Sequence, residues 1–483
     1  MEESSAMDWS TRQVVILGGA RQGTALARYL VAHGAQVTLS DLKPAHELDL
    51  QPLAGLPVRF VLGEHPLSLL DECDLLCLSG GVPTDLPIVQ EARRRGIPLS
   101  NDAGLFLDAC PAESVIGITG SAGKTTTTTL VGEMLKADNL GRAVWVGGNI
   151  GNPLISDLDR IQPGDRVVME LSSFQLELMN RSPHIACITN ITPNHLDRHG
   201  TLEAYIAAKR RILDFQSPDD WRVLSADNSV TAALGGEGAS TLWFSTRGRP
   251  AEDGAWLDEA GNLRVRLSRA LSPELHTAEG AVICHRREVL LMGDHNIANI
   301  LAAAAICAIA GASVDAMRRV ATTFRGVPHR LQLIAEHDGV RWYDDSIATA
   351  PERLVAALKC FDQPVILLCG GRDKHLPWEE AARAMLERCK AIILFGEMGP
   401  LVAEHLTHQR GAGSGAPAQW VIVPDLRTAV RKAHRLAQPG DVVLLSPGGT
   451  SYDAFKDFAE RGERFREWVN EILSAAQGGT HDR

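Results

Sequence analysis

The sequence predicts an α/β protein of three domains, and two observations support this prediction. The chain has 483 residues, more than a single hydrophobic core accommodates, and corresponds to about three domains of ordinary size. Apolar runs alternate with amphipathic stretches along most of it, as in parallel sheets whose faces are covered by helices. We place the domains at residues 1–112, 113–325 and 326–483.

Composition excludes several classes of protein. The 48 basic and 59 acidic residues give a net charge of −11, which argues against a general nucleic-acid or anionic-membrane surface. The acidic N-terminus lacks the features of a secretory signal, and the most apolar segment, residues 300–310, has about half the length that a membrane span needs. The nine cysteines are scattered, and several lie in apolar runs, as reduced core residues do. We therefore expect a cytoplasmic protein without nucleic-acid or membrane partners.

The first domain is predicted to be Rossmann-like, with strands at residues 14–19, 36–41 and 75–81. Gly18 and Gly23 take the first and last positions of the dinucleotide fingerprint, although Ala20 stands at its middle position. Asp41 closes the second strand, where such folds place a ribose-binding acid. A site for a nucleotide diphosphate and a plain βαβ unit with a tight turn both fit this pattern.

The central domain begins with a glycine-rich loop, Thr119-Gly-Ser-Ala-Gly-Lys-Thr-Thr126, between an apolar run and a helix-like segment. In phosphate-binding loops the glycines let backbone N–H groups turn toward a polyphosphate, a lysine such as Lys124 reaches its β/γ end, and a hydroxyl such as that of Thr125 binds Mg²⁺. The general pattern requires glycine where this chain has Ile118, so a shortened loop is implied. The alternative is an ordinary strand-to-helix turn with an incidental lysine.

Further polar residues follow strands of the same domain. Glu170 ends an apolar strand, where a carboxylate faces the ligand crevice and can bind Mg²⁺, although it could also be an exposed strand-end acid. His195, Asp197 and His199 follow another strand and could form a hydrolytic metal site, a ligand set for a phosphate-bound magnesium, or a histidine network. Lys209 has arginines as its next two neighbours, and from the residues alone we expect it on a solvated basic face.

The rest of the chain continues the same architecture. Residues 236–292 contain short alternating segments with turn residues, which predict hairpins at an edge of the central domain, and an alanine-rich helix follows Asn296. The last domain is predicted to be Rossmann-like as well, with a mostly parallel sheet. Its strands are expected at residues 340–345, 364–371, 391–396, 420–423 and 441–449.

Eight motifs occur in the order and spacing of the Mur ligases, and the chain resembles that family over essentially its whole length. They lie at residues 119–126, 147–151, 170–177, 194–201, 207–212, 293–299, 328–330 and 345–346. The runs at 170–177, 445–458 and 461–463 resemble most the members that add glutamate to UDP-N-acetylmuramoyl-L-alanine.

The resemblance implies an ATP- and Mg²⁺-dependent ligase that phosphorylates a carboxylate and lets an amine attack the acyl phosphate, acting as a monomer on small-molecule substrates in peptidoglycan precursor synthesis. It implies Lys124, His195 and Lys209 as catalytic residues, and Thr125, Glu170, His195 and a carbamylated Lys209 as magnesium ligands. It assigns ATP to Gly120, Ser121, Ala122, Gly123, Lys124, Thr125, Thr126, Asn296, Asn299, Arg330 and Asp345. It assigns the UDP substrate to Gly18, Gly23, Asp41, Ser79, Gly80 and Asn149, and the amino acid to Thr349, Lys374, Ser451, Tyr452 and Phe458.

One departure concerns the amino-acid pocket. D-glutamate-adding members carry Asp-Ser-Lys-Ala-Thr where this chain has Asp345-Ser-Ile-Ala-Thr349, so Ile347 replaces a lysine. Lys374 and Thr349 remain for the carboxylates, and Arg372 is a candidate replacement for the lost charge. D-glutamate is the expected substrate; the alternatives are addition of L-glutamate to the same acceptor, a polyglutamate-type ligase, and a regulatory protein that binds nucleotide without turnover.

Overall fold

The structure is a computed structural model that describes residues 8–138, 141–236, 238–250, 253–268, 273–291, 293–374, 376–411 and 419–478. The chain up to Leu290, together with residues 294–324, forms one compact unit, and the chain from Arg325 onward forms another. The first unit contains two β-sheets and the second contains one. This arrangement confirms the prediction of an α/β fold with parallel sheets in three domains, while the domain boundaries at 112 and 325 stay a prediction.

The N-terminal sheet is parallel throughout, with the strand order β3-β2-β1-β4-β5. Its strands are β1 (Gln13–Leu17), β2 (Gln36–Asp41), β3 (Val58–Leu62), β4 (Leu75–Leu78) and β5 (Leu99–Ser100), and its helices are α1 (Arg21–Ala32), α2 (Pro87–Arg95) and α3 (Asp102–Ala109). Because parallel strands end at the same sheet edge, the turns after β1, β2 and β4 lie side by side.

The central sheet has the order β14-β13-β12-β11-β10-β9-β6-β8-β7. Its strands are β6 (Ser114–Thr119), β7 (Val144–Gly148), β8 (Arg166–Glu170), β9 (Ile185–Ile188), β10 (Trp221–Ser225), β11 (Ser240–Ser245), β12 (Gly254–Leu257), β13 (Asn262–Arg266) and β14 (Ala281–His285). Only the pairs β12–β13 and β13–β14 are antiparallel within the described part of this sheet, and they confirm the predicted hairpins at its edge.

The helices of this domain are α4 (Lys124–Ala137), α5 (Ser173–Leu176), α6 (Leu196–His199), α7 (Leu202–Asp214), α8 (Ser229–Ala232), α9 (Asp294–Ile309) and α10 (Val314–Thr323). Helix α9 is the alanine-rich helix, and its residues from Asn299 to Ala308 are all buried, as the sequence predicts. No helix in the described ranges has both the length and the hydrophobicity of a membrane span. All nine cysteines are free thiols, and six of them are buried.

The C-terminal sheet has the order β15-β16-β20-β17-β18-β19, and its pairs are parallel except β15–β16. Its strands are β15 (Gln332–His337), β16 (Val340–Asp344), β17 (Val365–Gly370), β18 (Cys389–Phe395), β19 (Gln419–Ile422) and β20 (Val442–Gly448). Helices α11 (Pro351–Leu358), α12 (Glu379–Arg388), α13 (Gly399–Gly411), α14 (Leu426–Leu436) and α15 (Phe458–Gly478) cover it. The loops after β16, β17 and β20 share one edge of the sheet and carry the residues predicted to bind the amino acid.

Candidate active site

The glycine-rich loop runs from Gly120 to Gly123, between the end of β6 and the start of α4. Ile118 lies inside the strand and pairs with Glu170 of β8, so the loop is short, as the missing glycine implies. Asn190, just after β9, holds it: its carbonyl accepts from the Ser121 amide at 2.9 Å, and its side-chain oxygen accepts from the Ala122 amide at 3.0 Å. These two hydrogen bonds tie the loop backbone to the end of β9.

Two glycines of the loop have no room for a side chain. Gly120 has φ +153°, and a Cβ there would lie 1.9 Å from the Thr189 hydroxyl oxygen. Gly123 has φ +83°, and a Cβ there would lie 2.2 Å from the side-chain oxygen of Asn299. Asn299 itself receives a hydrogen bond from Thr127 of α4 at 3.4 Å and donates one to Asn296 at 3.0 Å. Asn296 and Asn299, two predicted ATP contacts, thus lie beside the loop.

Two lysines converge on the Gly120 carbonyl. The ammonium groups of Lys124 and Lys209 each donate to that oxygen at 2.9 Å, and Lys209 also donates to the Thr119 hydroxyl at 3.3 Å. Lys209 is 1% exposed. Burial, helped by the neighbouring Lys124 charge and opposed by Glu170, lowers the pKa of Lys209 to about 7. The solvated basic face expected for Lys209 from the residues alone is therefore wrong.

Glu170 is a buried carboxylate with one unused oxygen. It is 2% exposed, and one oxygen accepts from the Asn149 amide at 2.9 Å. The other oxygen, Oε2, is buried without a hydrogen-bond partner in the described part of the chain. A buried carboxylate oxygen without a partner is costly, and a hard cation would satisfy it. No group of three or more His, Cys, Asp or Glu side chains suited to a metal occurs among the described residues, so such a cation would also need ligands of other kinds.

The two histidines of the 194–201 motif occupy different environments. The side chain of His199 is 2% exposed; its ring nitrogens lie 2.9 Å from the Ser173 hydroxyl and 2.9 Å from Glu177. His195 is exposed, and its ring lies 6.5 Å from that of Tyr205. The same Tyr205 ring lies 4.7 Å beneath the Lys209 ammonium. The His199 ring lies closer to Tyr205, at 5.1 Å, so both histidines are near Lys209; His195 is the exposed one, and His199 is held in a hydrogen-bonded network.

Five of the predicted UDP-binding residues lie at the carboxyl edge of the N-terminal sheet, whereas Asn149 follows β7 of the central sheet, where its amide binds Glu170. Gly18 packs against Ser79, since a Cβ at Gly18 would lie 2.9 Å from that of Ser79, and a Cβ at Gly23 would overlap the Gly18 carbonyl. The Gly80 amide donates to Gln22 at 3.0 Å. Asp41 accepts from the backbone amides of Gly19 at 2.6 Å and Lys43 at 2.8 Å, so its carboxylate already fixes the turns beside it. The five residues of this domain thus lie together, with the Asp41 carboxylate bound to backbone amides, and their role in binding UDP stays a prediction.

In the C-terminal unit, the predicted ATP contact Asp345 follows β16 and is 5% exposed. Its carboxylate accepts from the Ser446 hydroxyl at 2.8 Å and the Leu331 amide at 3.2 Å, and Leu331 follows Arg330, another predicted ATP contact. Burial, helped by the Asp344 charge and opposed by those hydrogen bonds and by Arg330, raises the pKa of Asp345 to about 7. Asp345 and Arg330 belong to a different unit from Asn296 and Asn299.

We expect Asp345→Asn to raise the melting temperature by several degrees at pH 8 and by less at pH 5. The pKa of Asp345 is raised from an unfolded value of 3.8, so the wild type loses stability as the pH rises from about 4 to about 7 and bears the whole penalty above that range. Thermal unfolding of both proteins from pH 5 to 8 checks this. Asp362→Asn, at an exposed acid, is the control, and a gain independent of pH would contradict the explanation.

The predicted amino-acid contacts lie around the loops after β16, β17 and β20. Lys374 donates to the Thr349 hydroxyl at 3.2 Å. Ser451 is 2% exposed, whereas Tyr452 is 62% exposed and Phe458 is 37% exposed. These residues all stand at one sheet edge, but their exposure differs widely.

A buried arginine that the residue patterns did not assign joins two of these loops. Arg461 of α15 is fully buried and donates to the Ser346 hydroxyl at 2.9 Å, the Ser346 carbonyl at 2.8 Å and the Gly449 carbonyl at 3.1 Å. Burial lowers the pKa of Arg461 to about 10. We infer that this guanidinium fixes the loops after β16 and β20 relative to each other. The only indication of this role in the sequence was that Arg461 belongs to the run 461–463, which resembles the family.

Three family profiles match the chain in succession. "Mur ligase MurD-like, N-terminal domain" matches residues 12–101, "Mur ligase middle domain" matches 118–307, and "Mur ligase, glutamate ligase domain" matches 329–449.

Curated relatives match over nearly their whole length. A protein of Symbiobacterium thermophilum named UDP-N-acetylmuramoylalanine–D-glutamate ligase is 44% identical over 464 residues, which cover 95% of this chain and 98% of the relative. A protein of the same name from Acetivibrio thermocellus is 39% identical over 466 residues, with 95% and 97% covered.

Solved structures share the fold. UDP-N-acetylmuramate-alanine ligase MurC of Thermotoga maritima aligns with a TM-score of 0.55 at 20% identity, covering 95% of this chain and 99% of that one. A UDP-N-acetylmuramoyl-L-alanyl-D-glutamate–2,6-diaminopimelate ligase aligns with a TM-score of 0.53 at 19% identity, covering 97% and 94%. At these identities the likeness concerns the fold alone.

Proposed function

Because the chain belongs to the Mur ligase family, we propose that it uses ATP to join D-glutamate to UDP-N-acetylmuramoyl-L-alanine. The observation that carries this proposal is the full-length similarity to relatives named D-glutamate ligases. The reaction forms an amide bond in peptidoglycan precursor synthesis, a pathway on which cell shape and division depend. We place it in the cytoplasm and expect a monomer.

In the first step, a carboxylate oxygen of the acceptor's L-alanine attacks the γ-phosphorus of ATP, and ADP leaves. Negative charge is shared among the transferring phosphoryl group, the attacking oxygen and the leaving oxygen, so fixed cations and backbone N–H groups stabilise the transition state. The loop supplies both: Lys124 lies at its mouth, and Asn190 fixes its backbone. We assign Gly120, Ser121, Ala122, Gly123, Lys124, Thr125 and Thr126 to the phosphates, and Asn296, Asn299, Arg330 and Asp345 to the rest of ATP.

In the second step, the neutral amine of glutamate attacks the acyl carbon and forms a tetrahedral species. That species collapses to the amide as inorganic phosphate leaves, and the amine releases a proton. The glutamate must be held by its carboxylates so that the amine stays free. We assign Thr349, Lys374, Ser451, Tyr452 and Phe458 to this task, and Gly18, Gly23, Asp41, Ser79, Gly80 and Asn149 to the UDP substrate.

We also propose that Thr125 and Glu170 hold one Mg²⁺, and that His195 and the carbamate of Lys209 hold a second. The unpartnered oxygen of Glu170 supports the first assignment. The low pKa of Lys209 supports the second, because only a neutral amine adds to carbon dioxide, forming an N–C bond and releasing a proton. Bound Mg²⁺ would neutralise charge on the phosphates.

The test is incubation with ATP, Mg²⁺, UDP-N-acetylmuramoyl-L-alanine and either D- or L-glutamate, followed by mass analysis of the product. We expect a single added glutamate residue with the D isomer, and phosphate release that requires both substrates. Product with L-glutamate alone would favour the L-glutamate ligase, a candidate suggested by Ile347. Addition of several residues would favour a polyglutamate-type ligase, and no product with either isomer would contradict the substrate assignment.

A further inference from the structure

Two cationic side chains meet at the turn that follows β16. The Lys374 ammonium donates to the Thr349 hydroxyl at 3.2 Å. The Arg353 guanidinium, on the first turn of α11, lies 3.5 Å from the Ile347 carbonyl oxygen. That oxygen also accepts from the Thr349 amide at 2.9 Å. Thr349 therefore links the two cations. Its hydroxyl accepts from Lys374, and its amide donates to the same Ile347 carbonyl oxygen that Arg353 contacts.

Neither cation has a carboxylate partner in the described part of the chain, in contrast to their neighbour Arg372. Arg372 binds Glu397 through two hydrogen bonds of 2.9 Å. The pair of guanidinium N–H groups that would match a substrate carboxylate is therefore already bound to an acid of the protein. This pairing argues against Arg372 as the replacement for the charge missing at Ile347. Arg353 and Lys374 are both exposed and free to meet a ligand.

We propose that Arg353 binds one carboxylate of the incoming glutamate while Lys374 binds the other. The inference rests on the proposed function and adds a specificity-determining residue to it. Glutamate has two carboxylates, and a site that leaves its amine unbound must identify it by them. A guanidinium offers a planar pair of donors that matches a carboxylate. The apolar side chain of Ile347 offers none, although its backbone lies against Arg353.

The test is steady-state kinetics of Arg353→Ala, varying D-glutamate at saturating ATP and UDP-N-acetylmuramoyl-L-alanine. We expect the KM for glutamate to rise about 10- to 100-fold, because a charge-assisted hydrogen bond to substrate is lost. The KM values for ATP and the nucleotide substrate should stay within about twofold, and kcat should change little. Arg353→Lys should show a smaller rise.

Two further variants separate binding from structure. Lys359→Ala removes an exposed cation just beyond the other end of the same helix and should leave every KM unchanged. Arg353→Ala/Ile347→Lys returns a cation to the same turn and should recover at least about fivefold of the lost affinity for glutamate.

An unchanged KM for glutamate in Arg353→Ala would overturn the inference, and so would an equal rise for all three substrates, which indicates a structural role. Both results leave the proposed function standing, because the variant still forms the product. A wild type that forms no product with glutamate contradicts the proposed function itself, and the inference with it. The two failures are thus distinguished by the wild-type assay alone.

Discussion

Lys124→Ala is expected to reduce ATP-dependent ligation by on the order of 10³-fold without unfolding the protein. The ammonium of Lys124 is held beside the loop by the Gly120 carbonyl at 2.9 Å and the Ser121 carbonyl at 3.4 Å. From there its positive charge can stabilise the negative charge on the transferring phosphoryl group. Alanine removes that charge and leaves the carbonyls to Lys209 and solvent. Phosphate release that requires both substrates measures the loss.

Lys136→Ala is the matched control, because Lys136 lies at the other end of α4 and is half exposed in an ion pair with Glu133. It should keep full activity and a similar melting temperature. The Lys124 variant should also raise the pKa of Lys209, since the Lys124 charge is one cause of its depression. Retention of more than about a tenth of the activity would contradict the assigned role.

The fold was predictable where strands are buried on both faces. Apart from Gln13 at the start of β1, strands β1, β4 and β17 carry no polar side chains and are almost entirely buried, and each was predicted from its apolar run. Strand β3 was not predicted, because Arg59 and Phe60 are exposed and an edge strand needs no continuous apolar run. The two-residue β5 was not predicted either, because it is too short to carry a pattern.

The site was predictable as a set of motifs, but the roles of individual side chains depend on helix geometry. Lys209 shares its buried face with Tyr205, Ala208 and Ile212, positions that recur at helical spacing, while Arg210 is exposed. The helical periodicity of the apolar residues could therefore have shown that Lys209, unlike Arg210, lies on the buried face of the helix. The contact between Arg353 and the Ile347 carbonyl is different, since it forms only when the turn after β16 folds back on α11.

Lys209→Met is expected to abolish ligation and to raise the melting temperature at the same time. Methionine keeps the length of the side chain but cannot accept carbon dioxide or carry a charge. The buried ammonium donates only to the Gly120 carbonyl and the Thr119 hydroxyl among the described residues. Lowering its pKa from 10.5 to about 7 corresponds to a cost of at most about 5 kcal/mol for the charged form, and the variant escapes that cost. Activity should fall by on the order of 10³-fold.

The pH dependence identifies the cause of the gain. Below about pH 7 the lysine is charged in the folded and the unfolded protein, so the wild type bears the whole penalty; between about 7 and 10.5 only the unfolded chain binds the proton, and wild-type stability rises with pH. The advantage of Lys209→Met in carbon dioxide-free buffer should therefore be larger at pH 6 than at pH 9. Arg210→Met, at the exposed neighbour paired with Asp214, should change neither activity nor melting temperature by much. If Lys209→Met melts below the wild type at pH 6, the ammonium is stabilised by the site, and Lys209 is not the neutral amine that carbamylation needs.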